Sequence, residues 1–153
     1  MTEIRIAAAE DIDMLMEIRL EMLKAVNGLD EGYVFSDEIK DLSRKYFLEG
    51  DQTTVLALDG QLVAGCATIC YINLMPTFSH PSGKRAHLMN VYTNKNYRRK
   101  GIACHMVSAL IDEAWRRGVT EISLDATAAG KPLYRKLGFA ESGEYMVLTK
   151  KNG

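Results

Sequence analysis

The feature that most constrains this chain is the run from Asn90 to Gly118, NVYTNKNYRRKGIACHMVSALIDEAWRRG. The residues leading into it, AHLMNVYT, read as a strand. From Ile102 the period changes. Ile102, Met106, Leu110, Ile111 and Ala114 fall on one helical face, which runs to about Arg117. Only a short turn separates the two, and in it Lys95, Arg98, Arg99 and Lys100 crowd toward Gly101. A strand that turns at once into a one-faced helix is a building unit of α/β and α+β domains, where helix and sheet bury each other's apolar sides.

The rest of the chain continues the alternation. Glu3–Ala7 is a short strand, and a helix follows from about Glu10, with Ile12, Leu15, Met16, Met22, Leu23 and Val26 at helical spacing and Gly28 as its stop. Ser36 before Asp37 and Glu38 is an N-cap with an acidic first turn, which predicts a second helix to about Gly50. TTVLALDGQLVAGCATICYI is a hairpin around Asp59-Gly60, a pair that tolerates a type I′ turn. Pro76, Pro81 and Gly83 mark the stretch from Asn73 to Lys84 as a loop. EISLDA is a strand, GKPLYRKLGF a short helix ending at Gly138, and EYMVLTK a closing strand. With no repeat, low-complexity tract or linker, residues 1–153 read as one domain.

Composition narrows what the basic turn can do. Apolar residues make up 47% and charged residues 25%, the balance of an ordinary globular protein. A net charge of -1 opposes nucleic acid or an anionic membrane as partner, so any basic function is local. No apolar run approaches the roughly 20 residues that span a bilayer, and the start MTEIRIAAAED lacks the form of a secretion signal. Three cysteines, Cys66, Cys70 and Cys104, argue against a disulfide framework and fit a reducing cytoplasm. Cys66 and Cys70 share a strand face and should be buried. Cys104 sits at a helix N-terminus, where a thiolate is favoured, though packing is the preferred reading. His80, His87 and His105 have no spacing with the cysteines that suggests zinc, and no metal is expected.

The turn itself has the form of an anion cradle. The first N–H groups of a helix lack internal partners and lie at its positive end. Glycine lets backbone approach a ligand closely, and the preceding cations add attraction. The Gly-Lys-Ser/Thr ending of a nucleoside-triphosphate loop is absent, and so is G-x-G-x-x-G. The ligand is therefore a phosphate-bearing molecule of another kind.

YRRKGIA matches the [Arg/Gln]-x-x-Gly-x-[Gly/Ala] motif, with Arg98, Gly101 and Ala103 at its defined positions. NVYT before it, the helix after it and LYRKLGF downstream stand in matching order. On these residues the chain resembles the GCN5-related N-acetyltransferase (GNAT) family, and the resemblance extends to EIRIAAAEDIDMLMEIR and LALDGQLVAG. It implies an acyl-CoA N-acyltransferase fold of the α/β (α+β) class, a mixed sheet of about six to seven strands flanked by about four helices. It implies acetyl-CoA as acyl donor, without a metal. The cofactor-binding residues would be Arg98, Arg99, Lys100, Gly101, Ile102, Ala103 and Cys104 for the pyrophosphate, with backbone N–H groups from about Arg99 to Cys104 doing the holding. The backbone of Val91, Tyr92 and Thr93 would pair with the pantetheine arm in a splayed gap between parallel strands.

The resemblance further implies acetyl transfer to a primary amine by direct attack in a ternary complex, and since no extended acidic or basic groove for a peptide is evident in the sequence, the acceptor reads as a small molecule rather than a protein. The Val91 N–H would meet the developing oxyanion, and Tyr134 would face the coenzyme sulfur. The place where some relatives hold an acidic base falls on His87, and strand alternation puts His87, Met89, Val91 and Thr93 on one face. Asp30, Glu31 and water chains stay open as routes for the proton. Thr127 and Gly130 depart from the asparagine and alanine common in relatives, which puts coenzyme contacts there in doubt. Tyr33, Phe35, Tyr46 and Phe47 fall where the family shapes its acceptor pocket, though core packing accounts for at least half of them. A non-catalytic acyl-CoA sensor or interaction module is the rival reading, an acetyltransferase acting on a protein amine stays open, and so does the oligomeric state, a homodimer included.

Overall fold

Strands and helices alternate as β1 (Glu3–Ile6), α1 (Ile12–Asn27), α2 (Asp37–Glu49), β2 (Gln52–Asp59), β3 (Leu62–Asn73), β4 (Lys84–Thr93), α3 (Ile102–Arg116), β5 (Glu121–Leu124) and α4 (Lys131–Lys136). They are seen in a computed structural model that describes residues 2–152. Short 3₁₀ turns at Ala9–Asp11 and Lys95–Tyr97 lead into α1 and toward α3. The strands lie in the order β1-β2-β3-β4-β5, and all neighbours are antiparallel except β4 and β5. A parallel pair needs a crossover, and α3 supplies it.

Strand alternation divides the core between two layers. Val55 and Ala57 of β2 face α3, where they meet Met106, Val107, Leu110 and Ala114. Leu56 and Leu58 face the other way, against Leu15 and Ile18 of α1. β2 is thus buried on both sides, which is why TTVLAL is nearly continuous in apolar residues. Met106 and Leu110 are fully buried, and each such side chain contributes about 1.5–3 kcal/mol by leaving water. Leu110→Ala would cost about 2–5 kcal/mol because its surroundings cannot collapse around the cavity.

The helix boundaries have local causes. Gly28 ends α1 in the left-handed region at φ 62°, and its N–H donates to the Lys24 carbonyl. The Ser36 hydroxyl accepts from the Ile39 N–H at 3.3 Å and starts α2. The corner between β1 and α1 is locked by Arg5, whose guanidinium grips both oxygens of Asp11 at 2.7 and 2.9 Å. The Ala8 N–H adds a third bond to that carboxylate at 2.8 Å. These bonds, the Arg5 pair foremost, hold the Asp11 carboxyl down at about 2.

Two expectations need correction. The hairpin turns at Gly60-Gln61, because Asp59 still pairs with Leu62. Of those two residues only Gly60 has positive φ, 61°, so the turn has the II′ pattern with glycine first and not the I′ pattern. The sheet has five strands, not six to seven, since residues 144–150 form no strand among the described residues. A strand exists only with a ladder partner, and this segment has none. Tyr145, Met146, Val147 and Leu148 are consecutive and all exposed, so no polar–apolar alternation selects a face to bury.

Candidate active site

The site begins with an irregularity in β4. Cys66 of β3 pairs with Tyr92 and Thr68 pairs with Met89, so Asn90 and Val91 together stand opposite Ala67. That two-against-one pairing is a β-bulge. Asn90 accommodates it at φ 58°, a conformation asparagine tolerates better than most residues. Three contacts hold it there. Its Oδ1 accepts from Arg19 Nη1 at 3.0 Å, its Nδ2 donates to Thr68 Oγ1 at 3.1 Å, and its carbonyl accepts from Cys66 Sγ at 3.4 Å. Burial pushes the Cys66 thiol up to about 12, so it stays protonated as a donor.

The bulge also overturns an expectation. Ala86 and Leu88 before it, and Val91 after it, all pack on the α3 side, while Tyr92 packs on the α1 side. His87 and Met89 therefore do not share a face with Val91 and Thr93. One inserted residue shifts a period of two by half a cycle.

Past the bulge the sheet opens. β5 pairs with β4 only along Arg85–Leu88, matched to Glu121–Leu124. From Met89 to Thr93 the β5 side of β4 carries no ladder, so the backbone groups of this stretch that point away from β3 are open to another partner. The Thr93 hydroxyl is buried in this region with no hydrogen-bond partner.

The basic turn closes that opening. Asn94 caps it by accepting from the Asn96 N–H at 3.0 Å, and it also donates to Glu21 on α1 at 3.0 Å. Tyr97 donates its phenol proton to Asp59 at 2.8 Å, tying the turn to the hairpin. Arg98 Nε donates to the Thr93 carbonyl at 3.1 Å, so this side chain braces the strand. Lys100 lies 5.5 Å from the centre of the Tyr97 ring. Arg99 and Gly101 both have positive φ, 64° and 76°. Gly101 is the N-cap of α3, and space beside its Cα is open. The N–H groups of Ile102, Ala103 and Cys104 follow it, in the first turn of a helix whose ladder begins with His105 donating to the Gly101 carbonyl.

Tyr134 projects from α4 against the core on the α3 side and meets Phe139 edge-to-face at 5.8 Å. No protein group among the described residues hydrogen-bonds its hydroxyl, and burial raises its pKa above the ordinary phenol value. The two departures in the sequence have a structural setting here. Thr127 caps the turn before α4 by accepting from Gly130, and a Cβ at Gly130 would stand 3.2 Å from the Tyr134 ring. Glycine thus leaves the ring its space. Tyr134 and His87 line one cleft of about 890 Å³ beside β5. Within it, His87 Nδ1 lies 2.7 Å from Ser123 Oγ, and Nε2 lies 3.6 Å from an Asp125 oxygen.

A second cavity, of about 200 Å³, lies on the opposite face of the sheet under α1 and α2. Tyr46 and Phe47 line it, together with Cys70, Met89 and Asn90. Tyr33 and Phe35 do not, and meet each other edge-to-face with ring centres 5.0 Å apart. Cys66 is buried, but Cys70 is only half-buried because it faces this cavity. Asp30 and Glu31 are exposed and line neither cavity. Cys104 is half-buried, and all three cysteines are free. Among the described residues no cluster of His, Cys, Asp or Glu could hold a metal ion, and no helix is long and apolar enough to cross a membrane. Sequence reasoning missed Arg19 and Asn90. A signal for each existed. Arg19 is a cation among buried positions of α1, one turn from Leu15, Met16 and Met22, and Asn90 is a left-handed-tolerant residue inside a strand.

Comparison with known proteins agrees with this geometry. The sequence model of the Acetyltransferase (GNAT) family matches residues 13–139. GCN5-related N-acetyltransferase 6, chloroplastic, of Arabidopsis thaliana is 29% identical over 113 residues, which are 71% of this chain and 35% of that protein. The chain thus spans about a third of that curated relative's length. A predicted acetyltransferase from Clostridium acetobutylicum, crystallised with acetyl-CoA, superposes with a TM-score of 0.84 at 28% identity, covering 97% of this chain and 96% of that one. A GCN5-related N-acetyltransferase from Ralstonia eutropha JMP134 superposes at 0.79 with 22% identity, covering 97% and 99%, and speaks for the fold alone. A family match over most of the chain, on a sheet that splays beside a glycine-capped helix, makes this chain a member of the GNAT acetyltransferase family.

Proposed function

We propose that this chain transfers the acetyl group of acetyl-CoA to the primary amine of a small molecule, by direct attack in a ternary complex and within one domain. The observation that carries this reading is the stretch of β4, Met89–Thr93, that has no partner on its β5 side and leads through the basic turn to the N–H groups at the start of α3. An amide-bearing arm ending in phosphates suits that combination, with hydrogen bonds along Val91, Tyr92 and Thr93 and anion binding at Gly101 to Cys104. Arg99 and Lys100 add local positive charge, and Arg98 holds the strand in place. The 28%-identical Clostridium protein crystallised with acetyl-CoA supports the same donor. The small cavity supports a small acceptor, since about 200 Å³ is below the roughly 300–1,000 Å³ of drug-sized sites. Three free cysteines suit a cytoplasmic setting.

Acetyl-CoA, when bound, supplies an acyl group activated as a thioester. The chain supplies the rest. The Val91 N–H donates to the oxygen on which charge develops as the amine attacks. Tyr134 donates its hydrogen bond to the departing sulfur. Full transfer from an ordinary phenol to an ordinary thiolate is uphill by about 2 kcal/mol, and burial makes it more so, so the proton moves late. An alkyl amine must lose a proton before it attacks, and His87 is the candidate acceptor of that proton because it shares the cleft with Tyr134. The products are an acetamide and the free thiol of CoA.

The experiment is a thiol-release assay over a panel of primary amines with the parent and Tyr134→Phe. Turnover in the parent, with kcat falling about 10²–10⁴-fold in the variant and CoA affinity unchanged, is the expected result. CoA binding without acetylation of any amine would favour a sensor instead.

A further inference from the structure

The cavity under α1 and α2 has walls from four elements: Arg19 of α1, Leu42 and Phe47 of α2, Thr68 and Cys70 of β3, Met89 and Asn90 of β4. Arg19 is the one formally charged side chain in that wall. It is half-buried, and one of its donors is engaged by Asn90 Oδ1 at 3.0 Å. None of the ion pairs among the described residues includes it. Burial draws its pKa below the ordinary guanidinium value, with no carboxylate counteracting, yet arginine stays cationic at neutral pH. A guanidinium has five donors, and a half-buried one without an anion is costly unless a ligand completes it. The surrounding Leu42, Phe47 and Met89 are apolar, and the bulge at Asn90-Val91 borders the same cavity.

We propose that the acceptor is an amine bearing a carboxylate, an apolar amino acid or its close analogue, whose carboxylate pairs with Arg19 while its amine reaches the bulge at Asn90. This rests on the acetyltransferase reading and specifies its acceptor. A single guanidinium with no lysine beside it matches one negative charge better than a phosphate dianion. The fork geometry of arginine suits a carboxylate, which takes two parallel N–H bonds. The cavity of about 200 Å³ leaves room for a modest apolar side chain against Leu42, Phe47 and Met89. Arg19 is a specificity-determining residue here. It also steadies Asn90, and the test must separate those roles.

The test compares leucine, methionine and phenylalanine with their carboxamides, in parent, Arg19→Gln and Arg19→Lys, at saturating acetyl-CoA. In the parent, kcat/KM for each acid should exceed that for its amide by roughly 30-fold or more, the scale of a desolvated charge pair. Arg19→Gln should lower kcat/KM for the acids far more than for the amides and so abolish the preference, any smaller loss shared by both reporting the contact with Asn90. Arg19→Lys should restore part of it. Equal losses on acids and amides would mean that Arg19 only positions Asn90, and would overturn the proposal. A calorimetric arm titrates the same acids and amides into the parent saturated with CoA. Binding of acids but not amides supports the acceptor assignment even if no acetylation is seen, in which case the acetyltransferase reading alone fails. Amides binding as tightly as acids would overturn the assignment whatever the turnover.

Discussion

Gly101 and Gly28 form a matched pair on which the cradle can be tested. Both sit at the end of a long helix in the left-handed region, at φ 76° and 62°, and neither has an atom within 4 Å of where a Cβ would stand. Replacing either by glutamate therefore adds the same charge and the same backbone strain, about 1–2 kcal/mol for an L-residue in that region. For a domain of this size that strain lowers Tm by about 2–8 °C in both variants. The helix dipole offsets part of that cost at Gly101 and adds to it at Gly28, by about 0.3–1 kcal/mol each, and CoA binding separates them further. At Gly101 the new carboxylate stands at the positive end of α3, where it competes with phosphate for the N–H groups of Ile102 to Cys104 and repels it. Losing even one charge-assisted bond of about 1.5–3 kcal/mol weakens CoA binding roughly 10- to 150-fold. At Gly28, at the C-terminal end of α1, affinity should not change. Calorimetry with CoA on both proteins, beside thermal melts, reads the two effects separately. A folded Gly101→Glu that binds CoA like the parent, or a Gly28→Glu that loses binding equally, would refute the assignment.

The clamp at the β1–α1 corner makes stability depend on acid. The Asp11 carboxyl titrates at about 2 when folded against an ordinary value near 4, so its contribution is complete above about pH 4 and is lost as pH falls through about 2. Asp11→Asn should cost about 1–2 kcal/mol at neutral pH, discounted for the partly exposed Arg5, and the gap from parent should close in acid melts. If His87 takes the proton of the acceptor amine, His87→Ala should lower kcat at saturating substrates while CoA affinity stays as in the parent, and an unchanged kcat would leave the residue to its hydrogen bond with Ser123 and its contact with Asp125.

The order of elements up to α4, the caps at Ser36 and Gly28 and the helix start at Gly101 could all be read from residues near one another in the chain. Periodicity, capping chemistry and glycine's access to positive φ are local, so they survive translation from sequence to structure. What could not be read is non-local. The bulge arises because Asn90 and Val91 share one opposing residue on β3, and only the ladder shows this. The face assigned to His87 failed for that reason. The hairpin slipped by one residue because Asp59 had a strand partner to keep. The Glu144–Lys150 segment has strand composition, but composition cannot supply a neighbour. Arg19 belongs to the cavity only through α2 and β4 folding over it from elsewhere in the sequence.

The half-cycle shift in β4 has a consequence for how such a protein can be altered. On the near side of Asn90 the exposed member is Met89, whose side chain forms part of the wall of the cavity under α1 and α2. On the far side, Val91 to Thr93 offer backbone groups that look the same whatever side chains they carry. The two halves of one strand are therefore separable by mutation: the cavity wall can be recut at Met89, Leu42 or Phe47 without rewriting the open edge of β4. Length is not free in the same way. Deleting a residue at the bulge would either turn Ala86 and Leu88 out of the core or turn Val91 out of it, so the strand tolerates new side chains far better than a changed count.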